Sequence, residues 1–553
     1  MKLTGAQIIM ETLVEQGVDC VFGYPGGQVI NIYDELYKNR HRITHYITCH
    51  EQHAAHAADG YARATGKVGV VIATSGPGAT NIVTGIANAY LDSSPVVAIT
   101  GNVPTTLLGR DSFQEVDIAG VTIPITKHNY IVKDITKLAE IIREAFMIAK
   151  SGRPGPVLID VPKDIQVGET EFTPQSVASE EKSEQYEGNL EEALELIRNA
   201  QRPYIYSGGG VVLSDSSEEL IRFAEKIDAP VGSSIMGLSA VPWDHPRFLG
   251  MVGMHGKYAA TKALSESDLL IAVGVRFSDR ATGNKAEFSK GRKVLHIDID
   301  PAEIGKNIPA YTSLIGDLRT VLKKLNESLG QLDHKDWHEE IEKIKGHVDI
   351  SCSHSQDALD PQMVIEKVRQ FMPDDGVVAT DVGQHQMWTA QFYRFSRPRT
   401  FITSGGLGTM GFGMGAAMGA SIGKGKKKTV LITSDGSFHM NMNELATAVS
   451  FELPIVIVLL NNNALGMVKQ WQEIFFEQRF SQTVLNRKTD YVKLAESFGA
   501  LGLRAQNETE LEECLKMAFA KKGPVLVECP IDGCEKVFPM IPPGGTINDI
   551  ILR

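Results

Sequence analysis

Two polar clusters between residues 429 and 463 carry the clearest chemistry in the chain. Ser434-Asp435-Gly436-Ser437 follows the apolar, β-branched run 430–433, and Asn461-Asn462-Asn463 follows the run 455–460. Between them, residues 442–451 have helical period. The pattern predicts a βαβ unit with parallel strands, which puts both clusters at the carboxyl edge of one sheet. Ligands of open α/β sheets bind at that edge. An Asp carboxylate beside an Asn amide oxygen suits Mg²⁺, which keeps oxygen ligands and bridges to phosphates. A diphosphate with its metal is the expected ligand. Taken singly, Asp435 could cap a helix and Asn462 could make a turn; two such clusters after neighbouring strands favour the metal.

Other reactive groups are spread along the chain. Glu51 opens a helical stretch in CHEQHAAHAADGYARATG, where His50, His53 and His56 crowd together. Ala54 stands where a zincin would need its second His, so HExxH is incomplete. By itself Glu51 could be a surface or capping residue. VVIATSGPGATN (70–81) has the outline of VLITSDGSFHMN: apolar strand, hydroxyl residues, Gly-containing turn, Asn. That likeness suggests that the first and last thirds are two copies of one α/β plan, each supplying half of a cofactor site. Gly76, Pro77 and Asn81 belong to the first copy; Gly76 and Pro77 could equally be plain turn residues. Gly208-Gly209-Gly210 after strand 203–206, and Asp298-Ile299-Asp300 closing strand 294–299, are how Rossmann-like sheets approach a pyrophosphate and ribose hydroxyls. GxGxxG is absent, which argues against a nicotinamide dehydrogenase.

The elements that must position these groups alternate strand and helix throughout. The predicted fold class is α/β, three doubly wound domains with mainly parallel sheets: 1–165, 191–345 and 361–553, joined by linkers at 166–190 and 346–360. With 553 residues, 43% of them hydrophobic and 22% charged, the chain can bury several cores. Its 55 basic and 67 acidic residues give a net charge of −12, which argues against nucleic acid or an anionic membrane as main partner. Six cysteines without a CxxC pair fit a reducing compartment and are expected to be mostly buried thiols. No apolar run approaches the ~18 residues of a membrane span, and the opening MKLTGAQIIMETLVEQG reads as a helix rather than a leader, so a cytoplasmic location is expected.

The Asp-Gly turn followed by the Asn pair resembles the motif of the thiamine-diphosphate-dependent enzymes, with Ser434 in place of the usual first Gly. The likeness covers essentially the whole chain, and within that family it is to the acetohydroxyacid synthase (acetolactate synthase) catalytic large subunits. The resemblance implies that thiamine diphosphate, Mg²⁺ and FAD are bound by a pyrimidine-binding, a central flavin-binding and a diphosphate-binding domain. It implies Asp435, Asn462 and the Ala464 carbonyl as metal ligands, and Gln384, His385, Gly408, Met410, Gly436, Ser437 and Met467 around the diphosphate and thiazolium. Glu51 matches the Glu that bonds the pyrimidine N1′. A proton shared there favours the 4′-imino tautomer, whose nitrogen takes the proton from thiazolium C2. Phe113, Gln114 and Lys163 match the mouth of the channel.

Arg153, His255, Gly274, Val275, Arg276, Asp298, Asp300 and Asp317 match flavin-binding stretches. The RFDDR segment that marks flavin-binding members stands here as Arg276-Phe277-Ser278-Asp279-Arg280. Arg280 would receive the carboxylate of a second 2-ketoacid, for which its fork is suited. Trp471 would shape the acceptor pocket, although it and Met467 at helical spacing could also be core. The tail KVFPMIPPGG resembles one that closes over the site, and its Pro-Pro-Gly-Gly suits a mobile lid. The implied reaction is decarboxylation of pyruvate and condensation of the resulting hydroxyethyl carbanion with pyruvate or 2-ketobutyrate. That gives 2-acetolactate or 2-aceto-2-hydroxybutyrate, the first common step of branched-chain amino acid biosynthesis. The implied assembly is a homodimer or homotetramer with active sites between subunits, together with a small regulatory subunit. Rivals are a pyruvate oxidase or flavin-free acetolactate synthase of the same plan, and a catalytically silent scaffold. Trp471, Arg280 and Lys163 speak against the first group; Glu51, Asp435 and Asn462 speak against the second.

Overall fold

The computed structural model describes residues 1–176, 185–346 and 359–552. Three sheets follow one another along the chain, each covered on both faces by helices as parallel sheets require. In the first, the strands lie in the order Thr44–Ile47, Cys20–Gly23, Gly69–Ala73, Val96–Asn102, Val157–Pro162, His128–Ile131, all parallel. The last has the same plan: Phe401–Ile402, Val377–Thr380, Thr429–Ser434, Ile455–Asn461, Val525–Pro530, Leu501–Arg504. This shared strand order is the duplication suggested by the two strand-turn-Asn segments.

The central sheet is built differently. Its parallel strands run Phe248–Met251, Val231–Ser233, Pro203–Ser207, Leu269–Val273, Lys293–Asp298, Thr312–Gly316, with Tyr186–Gly188 antiparallel at one edge. The chain order reverses between Pro203–Ser207 and Leu269–Val273. That is a topological switch point, where such sheets bind nucleotides.

The helix Gly5–Glu15 starts at Thr4 with a capping box to Gln7, so the opening stretch folds as its sequence predicts. The expected linkers lie partly outside the described residues, which omit 177–184 and 347–358. The described part of 166–190 is not plain connection. Glu169–Glu171 pairs with Lys2–Thr4, and Tyr186–Gly188 joins the central sheet. Short polar edge strands like these lack the apolar run that marks a central strand. Of the cysteines, Cys20, Cys514 and Cys529 are buried as expected, whereas Cys49 and Cys534 are exposed; Cys352 lies outside the described residues.

The first and last domains meet through equivalent helices, Glu51–Thr65 and Gly413–Gly423. A Cβ on Gly60 would stand 2.7 Å from the Ala416 Cα, one on Gly415 would stand 2.7 Å from the His53 carbonyl oxygen, and one on Gly419 would collide with the Ala57 carbonyl. Small residues here let two helices pack backbone to backbone. This accounts for the second half of the Gly/Ala-rich run 404–420. Its first half is the loop leading to Met410.

Candidate active site

Glu51 is the first residue of its helix, and His50 caps that helix by accepting from the Gln52 amide at 3.1 Å. Its Oε2 accepts from Asn81 Nδ2 at 2.9 Å. The Gly76-Pro77-Gly78 turn packs between Glu51 and Gln114. Gly76 has φ +58 and leaves 2.8 Å between an added Cβ and the Gln114 carbonyl oxygen; at Gly78 the gap to Glu51 Oε1 is 3.3 Å. Gly76, Pro77, Asn81, Glu51 and Gln114 therefore form one cluster. Phe113 beside them is 84% exposed, and Lys163 opens the short helix Lys163–Val167. Asp164 of that helix accepts from the Thr105 amide and hydroxyl, which ties two of the expected channel loops together.

The Asp435 cluster forms at the carboxyl ends of Thr429–Ser434 and Ile455–Asn461, as the strand reading requires. Asp435 is 1% exposed, burial pushes its carboxyl up to about 6, and Oδ1 has no partner among the described residues. Asn462 accepts from the Ala464 amide at 3.1 Å and donates to Gln384 Oε1 at 3.2 Å. The Ala464 carbonyl oxygen lies 3.8 Å from where a Cβ on Gly436 would be. A buried carboxylate oxygen without a donor, an amide and a backbone carbonyl at one turn are the hard oxygen set that could hold Mg²⁺.

Gln384, His385, Met410, Gly436, Asn462, Ala464 and Met467 line a common pocket beside this turn. Ser437 lies outside this lining, and its hydroxyl donates to the Val382 carbonyl at 2.8 Å. Gly408 (φ +68) bends the loop two residues before Met410. His385 is buried and neutral, its pKa lowered to about 3 by burial, with Nε2 unpartnered.

Two residues had no role assigned from sequence. Gly466 leaves room for the Gln384 and Asn462 amides, since an added Cβ would displace the ends of both side chains from the positions they hold here. Asp381 is buried and accepts from the amides of Val382, Gly411 and Gly413 and from Asn441 Nδ2, which fixes the backbone on both sides of Phe412. Its place at the end of a strand next to Gln384 was the available signal.

Arg280 comes from the central domain and Trp471 from helix Gly466–Phe475 of the last. They meet with the guanidinium carbon 5.4 Å from the ring centroid, a cation–π geometry. The tail passes beside them: Gln470 donates to the Val537 carbonyl and Gln384 to the Glu535 carbonyl, Ile541 donates to the Met254 carbonyl, and Asn284 donates to the Gly545 carbonyl. The tail expected to be a lid is thus docked on both domains.

At the central switch point, Gly208 and Gly210 meet the Gly274 turn backbone to backbone. A Cβ on Gly208 would collide with the Gly274 carbonyl, and one on Gly210 would lie 2.8 Å from the Gly274 Cα. Around that edge, Tyr206 OH, Ser207 Oγ and Glu303 Oε2 are buried without partners among the described residues, as is His255 Nδ1. Such orphaned groups could receive the phosphates and hydroxyls of a dinucleotide. Arg153 reaches the same edge, pairing with Glu303 at 2.7 Å and Asp300 at 3.4 Å. Arg276 is held below its ordinary pKa by burial and the Arg153 charge; Asp298 is pushed up to about 6, chiefly by burial. Val275 accepts from His296 Nε2. Asp300 and Asp317 are less free than expected, since Asp300 caps the short turn Pro301–Glu303 and Asp317 caps the helix Leu318–Ser328.

The sequence matches the thiamine pyrophosphate enzymes in three parts: the N-terminal TPP binding domain over 3–121, the central domain over 190–325 and the C-terminal TPP binding domain over 381–529. Relatives align over nearly the full length. A Methanocaldococcus jannaschii protein named probable acetolactate synthase large subunit is 45% identical, covering 99% of this chain and 95% of that protein. The acetolactate synthase isozyme 2 large subunit of Escherichia coli is 45% identical, covering 99% of both. The chain belongs to the acetolactate synthase large subunits. The Haemophilus influenzae acetolactate synthase large subunit is 43% identical over 100% of this chain and 98% of its own length. As a thiamine pyrophosphate enzyme the chain uses thiamine diphosphate, and its apolar pocket beside an oxygen-rich turn fits that cofactor. No described helix of this acetolactate synthase family member is long and apolar enough to cross a membrane.

Proposed function

We propose that this chain condenses pyruvate with a second 2-ketoacid and releases CO₂, forming 2-acetolactate from pyruvate or 2-aceto-2-hydroxybutyrate from 2-ketobutyrate. The observation that carries the reading is Arg280 stacked on Trp471 beside the tail that also touches Gln384. A fork cation on an aromatic wall can grip a carboxylate while the wall sorts short alkyl groups. Thiamine diphosphate would supply, when bound, a carbon nucleophile for the pyruvate carbonyl, once its carbon acid has lost its proton, and an acceptor for the electron pair left by CO₂.

The chain's own residues do the rest. Glu51, oriented by Asn81, holds or releases the proton of the pyrimidine ring. Asp435, Asn462 and the Ala464 carbonyl would hold Mg²⁺, which would offset the charge of a diphosphate, with Gln384 and neutral His385 nearby. Met410 and Met467 wall the cofactor from water, and Arg280 orients the acceptor. Phe113, Gln114 and Lys163 guard the entrance. Arg153, the Gly208–Gly210 and Gly274–Arg276 turns, His255, Asp298, Asp300 and Asp317 would hold FAD, whose role here is structural because the reaction has no net redox change.

Among the described residues, no hydrogen bond or ion pair joins the Glu51 cluster to the Asp435 cluster, and the pocket beside Asp435 is lined only by its own domain. That supports a site completed by the partner of a homodimer, or within a homotetramer. A small regulatory subunit and a cytoplasmic location belong to the same reading.

Incubation with pyruvate, thiamine diphosphate and Mg²⁺, with and without FAD, tests it. Acetolactate without oxygen uptake is expected, and chelation of Mg²⁺ should abolish it. Acetaldehyde, or acetate with peroxide, would overturn the reading in favour of a decarboxylase or an oxidase. Trp471→Leu should cut the preference for 2-ketobutyrate over pyruvate roughly tenfold, measured by competition, with turnover on pyruvate alone little changed.

A further inference from the structure

A polar network whose side chains are buried links the first domain to the loop that carries Met410, and no role described so far uses it. Arg63, on the helix that begins with Glu51, grips Asp59 with Nε at 2.6 Å and Nη2 at 2.9 Å. It also reaches Asp92 Oδ2 at 2.9 Å and the Thr403 carbonyl at 2.7 Å. Asp92 in turn accepts from the amides of Gly405 at 3.1 Å and Gly406 at 2.7 Å. Asn88 donates to Asp59 at 2.7 Å, and its Oδ1 accepts from Ser404 Oγ at 2.5 Å and Thr409 Oγ1 at 3.2 Å. Three side chains of the first domain therefore fix residues 403, 404, 405, 406 and 409 of the last. Gly406 can approach only because it has no side chain, since a Cβ would stand 2.9 Å from Asp92 Oδ1.

The donors around Asp92 make this more than interdomain adhesion. Asp59 and Asp92 share the Arg63 guanidinium, and Arg276 lies near enough to Asp92 for their charges to interact, so the Asp92 carboxylate is short of hydrogen-bond donors rather than of counter-charge. The Gly405 and Gly406 amides supply its remaining donors. A buried charge without donors is costly, so any loop conformation that withdraws those amides is penalised. We propose that Arg63, Asp92 and Asn88 are positioning residues that clamp loop 403–409 and thereby set Met410 against thiamine diphosphate. The inference rests on the reading of Met410 as a wall of the cofactor site.

Two variants avoid creating an unpaired buried charge. Asp92→Asn leaves Arg63 paired with Asp59 and sets an amide NH₂ against the loop amides; Thr409→Val removes one hydroxyl donor at constant shape. Each is expected to weaken thiamine diphosphate binding roughly tenfold, read by intrinsic fluorescence at fixed Mg²⁺, and to lower kcat while KM for pyruvate stays within about twofold. Thr409→Ser, which restores the hydroxyl, should recover both. If both variants only lower the melting temperature of the cofactor-free protein and leave cofactor affinity and kcat at the wild-type values, the network is merely structural and the proposal fails. Should Asp92→Asn not fold, the Thr409 pair decides alone. A wild-type protein that binds thiamine diphosphate yet makes no acetolactate would sink the functional reading, while the binding comparison would still judge the clamp.

Discussion

The first and last domains share a scaffold closely enough that single residues can be set side by side. Val157–Pro162 follows Gly155-Pro156, and Val525–Pro530 follows Gly523-Pro524. In register, Asn102 stands opposite Pro162, and Asn461 opposite Pro530. The fourth residue of each closing strand is acidic and accepts from that Asn: Asp160 from Asn102, Glu528 from Asn461. The chemistry is nevertheless placed on different turns. In the first domain the acid that matters, Glu51, opens the helix after the second strand and is half-exposed. In the last domain it is Asp435, buried directly after the third strand, with an oxygen left without a donor among the described residues. The position corresponding to Asp435 falls in a Ser-Gly-Pro-Gly turn that packs on Glu51. On the proposed function, one plan used twice gives one half a proton-handling group and the other a metal-handling group.

The strongest way to break this division is to remove each acid in turn. Glu51→Gln should lower turnover by roughly 10²–10⁴-fold while Mg²⁺-dependent binding of thiamine diphosphate changes only a few-fold. Asp435→Asn should do the opposite, weakening Mg²⁺-dependent binding by about 10²-fold or more, with activity returning in part at high Mg²⁺ and cofactor. Isothermal titration and steady-state rates separate the two outcomes. Co-expression sharpens the point. If sites form between subunits, a mixed dimer of the two inactive variants holds one site with both acids intact and recovers activity. If each chain builds its own site, the mixture stays inactive.

Much of this plan could be read from the sequence because parallel central strands are continuous apolar runs, so 430–433, 455–460 and 203–206 stand out, and polar residues after them fall at the binding edge. Edge strands such as Thr44–Ile47, His128–Ile131 and Leu501–Arg504 were missed, being short and half polar. In the site, Asp435 and Asn462 were legible because both follow a strand that announces itself. Gly466 was not, since its fit depends on Gln384, 82 positions earlier, pointing at it across the sheet edge. The clamp of Arg63 on residues 403–409 was equally hidden. A buried arginine looks like a surface one until its acceptors, supplied by another domain, are in place. The repeated Gly-Pro-Val-Leu was a further signal of the duplication that the strand-and-turn comparison passed over.

A smaller effect separates the paired acids of the closing strands. Glu528 has a cation, with Arg504 Nε at 2.8 Å; Asp160 has only Thr100 and Asn102 as donors, and burial pushes its carboxyl up to about 6. The unfolded chain releases this proton near pH 4, while the fold keeps it until about 6. The folded state therefore binds the extra proton across that window, so Asp160 makes the protein less stable as pH rises through it, and the loss persists above it. An Asn at 160 can donate to Thr100 and accept from Asn102 without any such loss. Asp160→Asn should consequently stabilise the cofactor-free protein by about 2–3 kcal/mol at about pH 7, with the gain vanishing near pH 4. Glu528→Gln should act in the other direction, costing up to about 1 kcal/mol at neutral pH because Arg504, which keeps Asp490 at 3.3 Å, loses its closer counter-charge at a partly exposed site. Denaturant unfolding of the two variants across pH measures both. Equal shifts of one sign would mean that the two strands, alike in sequence and register, are also alike in their electrostatics, and that the division of labour between the halves stops at the turns.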